Sequence, residues 1–183
     1  VSDLEQMERI VNQFMDYARR NSLPLAAVDL SRLVSDAVRI ARIDIDPGVR
    51  LRVSIDPDIW VMAHSIEMSR VVQNLYTNAL RYGKSQDGVL DLTVELKRED
   101  DKAVLIVSDC GPGLDMSQAG RLMRPFERGD AARGGTAGSG LGLAIVERIV
   151  RRCSGTVSLS ATVPHGLTVS IRTHACKVSK PER

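Results

Sequence analysis

The feature that most limits the possible folds is a pair of consecutive strands with no helix between them, which occurs three times and includes two predicted hairpins. Residues Leu90–Leu96 and Ala103–Ser108 alternate apolar and polar side chains across a short charged segment, which predicts a β-hairpin. Residues Thr156–Ala161 and Leu167–Arg172 form a second pair that turns at residues 164–166. A doubly wound parallel sheet needs helices that alternate with strands one for one, so this order argues against that fold.

The other apolar patterns complete the predicted fold. Helix-spaced apolar residues predict helices at residues 31–42, with Ser31 as the N-cap, and at residues 65–82, ended by Gly83. Further elements are expected as strands at residues 27–29, 49–55 and 60–62 and as a helix at residues 141–152. This order predicts an α+β two-layer sandwich, in which helices cover one face of a mixed β-sheet.

The first 20 residues carry a different pattern. Apolar residues recur there at alternating spacings of three and four, typical of a helical bundle: Leu4, Met7, Val11, Phe14 and Ala18. The chain starts with Val1 instead of Met, so we expect it to be part of a longer protein. The predicted divisions are a bundle helix at 1–20, a linker at 21–26, a folded domain at 27–173 and a tail at 174–183.

Composition excludes several classes of function. A net charge of +2 and few aromatic residues (one Trp, three Tyr and two Phe) argue against a nucleic-acid-binding surface. The three cysteines are odd in number and far apart, which excludes a disulfide framework and a zinc site. No apolar run approaches the roughly 20 residues that span a bilayer. The remaining class is an ordinary globular domain.

Four motifs could carry chemistry, and the first lies on the helix at 65–82. Asn74 and Asn78 are four residues apart, and Arg81 follows on the same flank. An amide oxygen is a suitable ligand for Mg²⁺, which takes few protein ligands and several from phosphates and water. By itself, the pattern is also typical of asparagines that bond to neighbouring loops.

The second motif, Asp109-Cys110-Gly111-Pro112-Gly113, directly follows a predicted strand. A buried carboxylate needs hydrogen-bond partners. It could accept a bond from the 6-amino group of adenine, whereas guanine presents an acceptor at that position. The glycines allow a sharp turn or a close approach to a ligand. A simple turn is the commoner cause of such a string.

The third and fourth motifs lie in one long irregular segment. Arg124–Asp130 combines an aromatic residue with two arginines, and long ordered loops are often lids or binding loops. Gly134–Leu143 runs into a helix, whose free N–H groups and positive dipole end favour phosphate. It is neither a P-loop nor a dinucleotide fingerprint, because no GK[ST] follows and the glycine spacing is GxGxG.

In this order, the four motifs closely resemble the N, G1, F and G2 boxes of the histidine kinase ATP-binding domain (HATPase_c), which has the GHKL or Bergerat fold. The resemblance covers residues 25–173, and residues 1–20 resemble the end of the second helix of the kinase dimerisation domain. The run from Arg124 to Val150 is most similar to EnvZ-type osmosensor kinases. The resemblance implies the ATP-binding catalytic domain of a two-component sensor histidine kinase.

The resemblance also implies roles for individual residues. At the metal and phosphates it implies Asn78 as the Mg²⁺ ligand, Asn74 as a possible second, and phosphate contacts from Arg81, Arg128 and Arg133. Around the adenine it implies Asp109, Tyr82, Gly111 and Gly113. Phe126 would anchor a lid, and the phosphates would be cradled by Gly138, Ser139, Gly140, Leu141 and Gly142. The residues expected to act in catalysis are Asn78, Arg81 and Arg128.

One departure from the family pattern concerns the phosphoryl acceptor. These kinases phosphorylate a histidine that is followed by an acidic residue and Arg-Thr-Pro. His64, His165 and His174 all lack this context, so we expect the acceptor outside this chain and no autophosphorylation by it. A nucleotide-binding scaffold without catalysis and an anti-sigma-factor serine kinase of the same fold are the alternatives.

A second departure separates kinases from hydrolases. Gyrase, Hsp90 and MutL-type ATPases of the same superfamily carry a glutamate one turn before the metal asparagine, which activates water. Here that position is Asn74, which cannot act as a general base. The sequence therefore favours phosphoryl transfer to a histidine over hydrolysis.

The resemblance further implies partners and a location. It implies ATP and Mg²⁺, an OmpR-type response regulator, the kinase's own phosphoacceptor and dimerisation domain, and a homodimer of the full-length protein, with no nucleic acid. The full-length protein is expected in the bacterial inner membrane, with this domain in the cytoplasm.

Overall fold

The structure is a computed structural model that describes residues 24–43, 48–125 and 141–177, together with helical backbone at positions 11 and 15. The strands are β1 (Ala26–Asp29), β2 (Val49–Ile55), β3 (Trp60–Ala63), β4 (Leu90–Glu99), β5 (Lys102–Ser108), β6 (Thr156–Ala161) and β7 (Leu167–Cys176). The helices are α1 (Leu30–Ile43), α2 (Ser65–Tyr82), α3 (Ala119–Leu122, after a 3₁₀ turn at Met116–Gln118) and α4 (Gly142–Arg152).

The strands form one mixed sheet. Its order is β1-β3-β7-β5-β4-β2, and β6 pairs with β7 beside this path. Among the described strands, β2 and β4 are the parallel pair, and the other pairs are antiparallel. The hairpin predicted from residues 90–108 is confirmed, with Glu99 paired to Lys102 beside its turn.

The core lies between the sheet and its helices. Along β4, Leu92 and Leu96 are buried while the intervening Thr93 and Glu95 are half-exposed, so one face of the strand points to the core. Helix α2 buries Val71 completely, while the neighbouring Val72 is half-buried. The predicted two-layer sandwich is confirmed. In the described ranges, no helix is both long and apolar enough to cross a membrane.

Helices α2 and α4 run antiparallel, and contacts at both ends fix their alignment. At one end, Arg152 Nη1 donates to Glu67 Oε1 at 2.6 Å, and the Glu67 side chain is 9% exposed. At the other end, Asn78 packs against Gly142. Each charge of the ion pair also lies at the helix end that its sign favours. The C-terminal half of α2 is therefore held against the start of α4.

Two local predictions need correction. Ser31 is not the N-cap of α1: its hydroxyl is buried and bridges the Asp56 carbonyl, at 2.6 Å, and the Ile59 N–H, at 3.0 Å. The cap is Asp29, whose Oδ1 accepts the N–H of Arg32 at 2.9 Å. Strand β7 also continues past its predicted end at Arg172, because its last residues pair with β3.

Candidate functional site

Asp109 follows strand β5 and is tied to the backbone on both sides. Its Oδ1 atom accepts N–H bonds from Gly111, at 3.0 Å, and from Leu167, at 3.1 Å. Its own backbone N–H donates to the Leu167 carbonyl at 3.0 Å. Both side-chain bonds end on Oδ1, so the carboxylate has one orientation and Oδ2 remains for a further donor.

The partial burial of Asp109 affects the ionisation of its carboxyl group. Burial raises the pKa of this carboxyl above its ordinary value of 3.8, although the N–H bonds from Gly111 and Leu167 oppose the rise. The charged form is thus incompletely solvated in the folded chain. Such a group gains most from a ligand that supplies a hydrogen-bond donor, and groups of this kind are enriched at functional sites.

Three glycines allow the backbone to close around Asp109. A Cβ at Gly83 would lie 2.6 Å from the Cβ of Asp109, and a Cβ at Gly111 would lie 2.5 Å from the carbonyl oxygen of Tyr82. At Gly166, where φ is +126°, a Cβ would overlap the carbonyl oxygen of Asp109. The end of α2, the loop after β5 and the β6–β7 hairpin therefore meet at one point.

The tip of the β6–β7 hairpin borders this site, and the sequence did not predict this contact. His165 Nδ1 lies 3.1 Å from the carbonyl oxygen of Gly111, so an Nδ1–H donates to it. Gly113, with φ at +76°, packs against Gly166 of the hairpin. The local sequence signals only a turn, because nothing in it indicates a contact with a carboxylate 58 residues earlier.

Cys110 is a second residue whose role the sequence did not indicate. Its Sγ accepts the backbone N–H of Asp91 at 3.1 Å and lies 3.9 Å from the carbonyl oxygen of Gly83. The thiol therefore joins the loop after β5 to strand β4. The thiol of Cys110 is free.

Asn78 lies where α2 passes the start of α4. A Cβ at Gly142 would be 3.0 Å from Oδ1 and 3.3 Å from Nδ2 of Asn78, so the carboxamide packs directly on the first residue of α4. Asn78 precedes Gly83 by about 7.5 Å of helix rise. Asn78, from the first motif, therefore lies beside Gly142, from the fourth motif. Gly83, at the end of the same helix, packs against Asp109 of the second motif.

The other predicted residues of α2 lie near this position. Asn74 is half-buried and its Nδ2 donates to the Arg70 carbonyl one turn earlier, at 2.9 Å. Arg81 and Tyr82 are half-buried in the last turn, directly before Gly83. Leu141 has a fully buried side chain, so any contact that it makes with a ligand comes from its backbone.

The remaining predicted site residues lie outside the described part of the chain. They are Phe126, Arg128, Arg133, Gly138, Ser139 and Gly140. In the described residues, α2 packs against the start of α4, and Asp109 contacts the end of α2 and the β6–β7 hairpin.

The donor set around Asn78 limits which metal the site could hold. In residues 24–43, 48–125 and 141–177, no three His, Cys, Asp or Glu side chains are grouped as a protein-only metal site requires. An amide oxygen suits Mg²⁺, which commonly keeps water and phosphate oxygens as its other ligands. The residues therefore fit a Mg²⁺ ion that arrives with a phosphate-bearing ligand.

Comparisons with known proteins give the family. Residues 63–176 match the family described as histidine kinase-, DNA gyrase B-, and HSP90-like ATPase. The chain is 35% identical over 164 residues to the sensor protein RstB of Escherichia coli (strain K12), which covers 85% of the chain and 36% of RstB. The chain thus spans about a third of the length of this relative.

Solved structures agree with this result. A mycobacterial sensor histidine kinase, MprB, superposes with a TM-score of 0.69 at 25% identity, over 82% of this chain and 97% of that one. The histidine kinase domain of the E. coli osmosensor EnvZ superposes with a TM-score of 0.59 at 28% identity, over 90% and 98%. The chain belongs to the histidine kinase-, DNA gyrase B- and HSP90-like ATPase family and is homologous to the ATP-binding catalytic domains of sensor histidine kinases.

Proposed function

We propose that this domain binds ATP with Mg²⁺ and transfers the γ-phosphoryl group to a histidine outside the chain, from which it passes to an aspartate of a response regulator. The observation that carries the proposal is the fixed carboxylate of Asp109, which packs against Gly83 at the end of the helix that carries Asn78. Membership of a family whose named relatives are sensor histidine kinases supports the phosphoryl transfer.

Asp109 selects adenine in this proposal. Because Oδ1 is occupied by the N–H groups of Gly111 and Leu167, Oδ2 accepts the 6-amino group of the base. Guanine presents an acceptor there and is rejected, since two acceptors would face each other in a partly buried site. Tyr82 packs on the base from the end of α2, and Gly111 and Gly113 shape the pocket by letting the loop after β5 pack on Tyr82 and Gly166.

The phosphates lie toward α4. The backbone N–H groups at the start of α4 and the positive end of its dipole attract them. Asn78 contributes its amide oxygen to Mg²⁺, which neutralises phosphate charge when bound. Arg81 and Arg128 contact the phosphates, and Arg133 is a further candidate. Phe126 anchors a lid, and the backbone at Gly138, Ser139 and Gly140 cradles the phosphates.

Asn74 favours transfer over hydrolysis. Its amide donates to the backbone of its own helix, and an amide cannot take a proton from water at neutral pH. A carboxylate at this position would supply the missing base. Water therefore attacks slowly, and the γ-phosphoryl group remains for a positioned histidine nucleophile.

The same family relationship supports the wider assignment. We infer a dimerisation domain that carries the acceptor histidine, a homodimeric full-length kinase in the inner membrane with this domain in the cytoplasm, and an OmpR-type regulator. The sequence and structural similarity to EnvZ supports the osmosensor-like subtype.

The test is a phosphotransfer assay. The chain is incubated with γ-labelled ATP and Mg²⁺, alone and with a separately produced dimerisation domain of an RstB-type relative. We expect acid-labile label on the added domain, none on the chain itself, and loss of the label in Asn78→Ala. Label on the chain alone, or rapid steady release of phosphate without the acceptor, contradicts the proposal.

A further inference from the structure

A cavity of about 1090 Å³ lies on the other side of α2 from the nucleotide-binding residues. Helices α1 and α2 form its sides, and strands β2, β4 and β5 form its floor. Its lining is mainly aliphatic and includes Leu33, Val38, Leu51, Val72, Leu80 and Val94.

The cavity is large enough and apolar enough for a small molecule. Sites for small molecules typically have volumes of about 300–1000 Å³ and a mainly apolar lining. Leu33, Leu51 and Val72 pack on the core and yet stay half-exposed, because the cavity separates them. Water against such a wall is unfavourable, and an apolar occupant would release it.

The charges at the rim indicate that the occupant is neutral. Arg32 pairs with Asp36 at 3.9 Å, and Asp36 also pairs with Arg39 at 3.5 Å. Asp29 caps the N-terminus of α1, where a carboxylate is favoured. The acidic and basic side chains at the rim thus balance one another within α1 and its cap, so no excess of one sign selects an ionic head group.

Helix α2 separates the cavity from the nucleotide-binding residues. Gln73, Tyr76 and Leu80 line the cavity. Asn74 differs from Tyr76 by about 200° around the helix axis, so the two point to opposite sides of α2. An occupant of the cavity would therefore press on the back of the helix that carries Asn78.

We propose that this cavity binds one neutral aliphatic molecule, of the size of a medium-chain alkyl or acyl compound. Its chain lies over the aliphatic side chains of β2 and β4, and its polar end lies at the rim near Ser69 and Gln73. The site does not depend on ATP binding, and a chain that failed to bind nucleotide could still bind such a molecule.

The first test is a titration with N-phenyl-1-naphthylamine, a neutral probe that fluoresces in apolar surroundings, followed by competition with 1-hexanol, 1-octanol and 1-decanol. We expect one probe per chain and displacement that strengthens by up to about fourfold for each added methylene. Absence of probe binding, or displacement that does not depend on chain length, overturns the proposal.

Matched variants locate the probe. Ala37→Phe adds a ring inside the cavity, while Ile66→Phe changes a 62% exposed residue of α2 outside the lining. We expect Ala37→Phe to weaken probe binding at least tenfold and Ile66→Phe to leave it unchanged. Equal binding by both variants overturns the proposal.

A measurement on the native chain covers the case in which Ala37→Phe does not fold. With labelled methyl groups, 1-decanol should shift the resonances of Leu51 and Val72 and leave Val146, which is fully buried on α4, in place. Unchanged resonances for Leu51 and Val72 overturn the proposal.

Discussion

At the residue scale, Asp109 is the residue that we propose selects the base. Two backbone N–H groups fix its Oδ1, so substitution by asparagine has a defined outcome: the amide oxygen must take the place of Oδ1, and the amide NH₂ must take the place of Oδ2. The variant therefore presents a donor where the native chain presents an acceptor.

Asp109→Asn should invert the preference for the base. ATP affinity should fall roughly ten- to a hundredfold, because a charge-assisted bond is replaced by two facing donors. ITP, whose 6-oxo group is an acceptor, should bind the variant better than ATP does. Calorimetric titration of both nucleotides into both chains measures the inversion, and a variant that keeps the native preference for ATP contradicts the role of Asp109.

The pKa of Asp109 gives a second residue-scale prediction. Because burial raises this pKa above 3.8, the folded chain holds the proton more tightly than the unfolded chain does. The contribution of the group to stability is therefore full below pH 3.8 and is lost as the pH rises through the raised pKa. Compared with Asp109→Asn, the native chain should lose unfolding free energy over that range. Urea unfolding of both chains between pH 3 and 7 tests this, and a constant difference contradicts it.

Gly166 and Gly88 form a matched pair for the hairpin contact. Both have positive φ, +126° and +76°, but a Cβ at Gly88 meets nothing within 4 Å, while a Cβ at Gly166 overlaps the Asp109 carbonyl. Gly88→Ala should cost roughly 1–2 kcal/mol of unfolding free energy, the cost of a positive φ. Gly166→Ala should cost more and should also weaken ATP binding. Equal effects of the two substitutions on ATP affinity would show that the hairpin is not a wall of the site.

At the element scale, the alignment of α2 against α4 brings Asn78 to the start of α4. Glu67 and Arg152 fix the far end of this pair across 85 residues of sequence. Arg151, the residue before Arg152, makes an i,i+4 pair with Glu147 instead, and the Arg151 side chain is 77% exposed. The two arginines occupy the same helix end and differ in the burial of their partners.

This difference predicts unequal effects on stability. Arg152→Ala should lower the unfolding free energy by about 2 kcal/mol, less than for a fully buried pair because the arginine keeps 29% exposure. Arg151→Ala should change it by at most about 0.5 kcal/mol. Urea unfolding measures both, and a larger loss in Arg151→Ala would be the contrary result.

The sequence predicted most helices and strands correctly because their apolar residues recur with a clear period. It did not predict the roles of residues whose partners lie far away in the chain. Ser31 looks like an N-cap by residue type, but the loop near Ile59 uses its hydroxyl, and Asp29 takes the cap. The helical period does not show which of Val71 and Val72 is more buried, because both lie at the edge of the apolar face of α2. The packing of α2 against its neighbours buries Val71 completely.

At the scale of the whole molecule, the site combines residues that are far apart in sequence. The motif residues Asn78, Asp109 and Gly142 could be identified from the chain because each lies in a local pattern. His165 and Leu167 could not, because their role comes from sheet topology, which places the β6–β7 hairpin beside the end of β5.

Our central proposal is that one site binds ATP: Asp109 recognises the adenine base, and Asn78 binds a Mg²⁺ ion that the phosphates also coordinate. Calorimetric titration of the chain with ATP, with and without Mg²⁺ and with GTP as the control, tests it most directly. We predict ATP binding that Mg²⁺ strengthens, together with no measurable binding of GTP. Equal binding of GTP and ATP, or no binding of ATP with Mg²⁺ present, would contradict the claim.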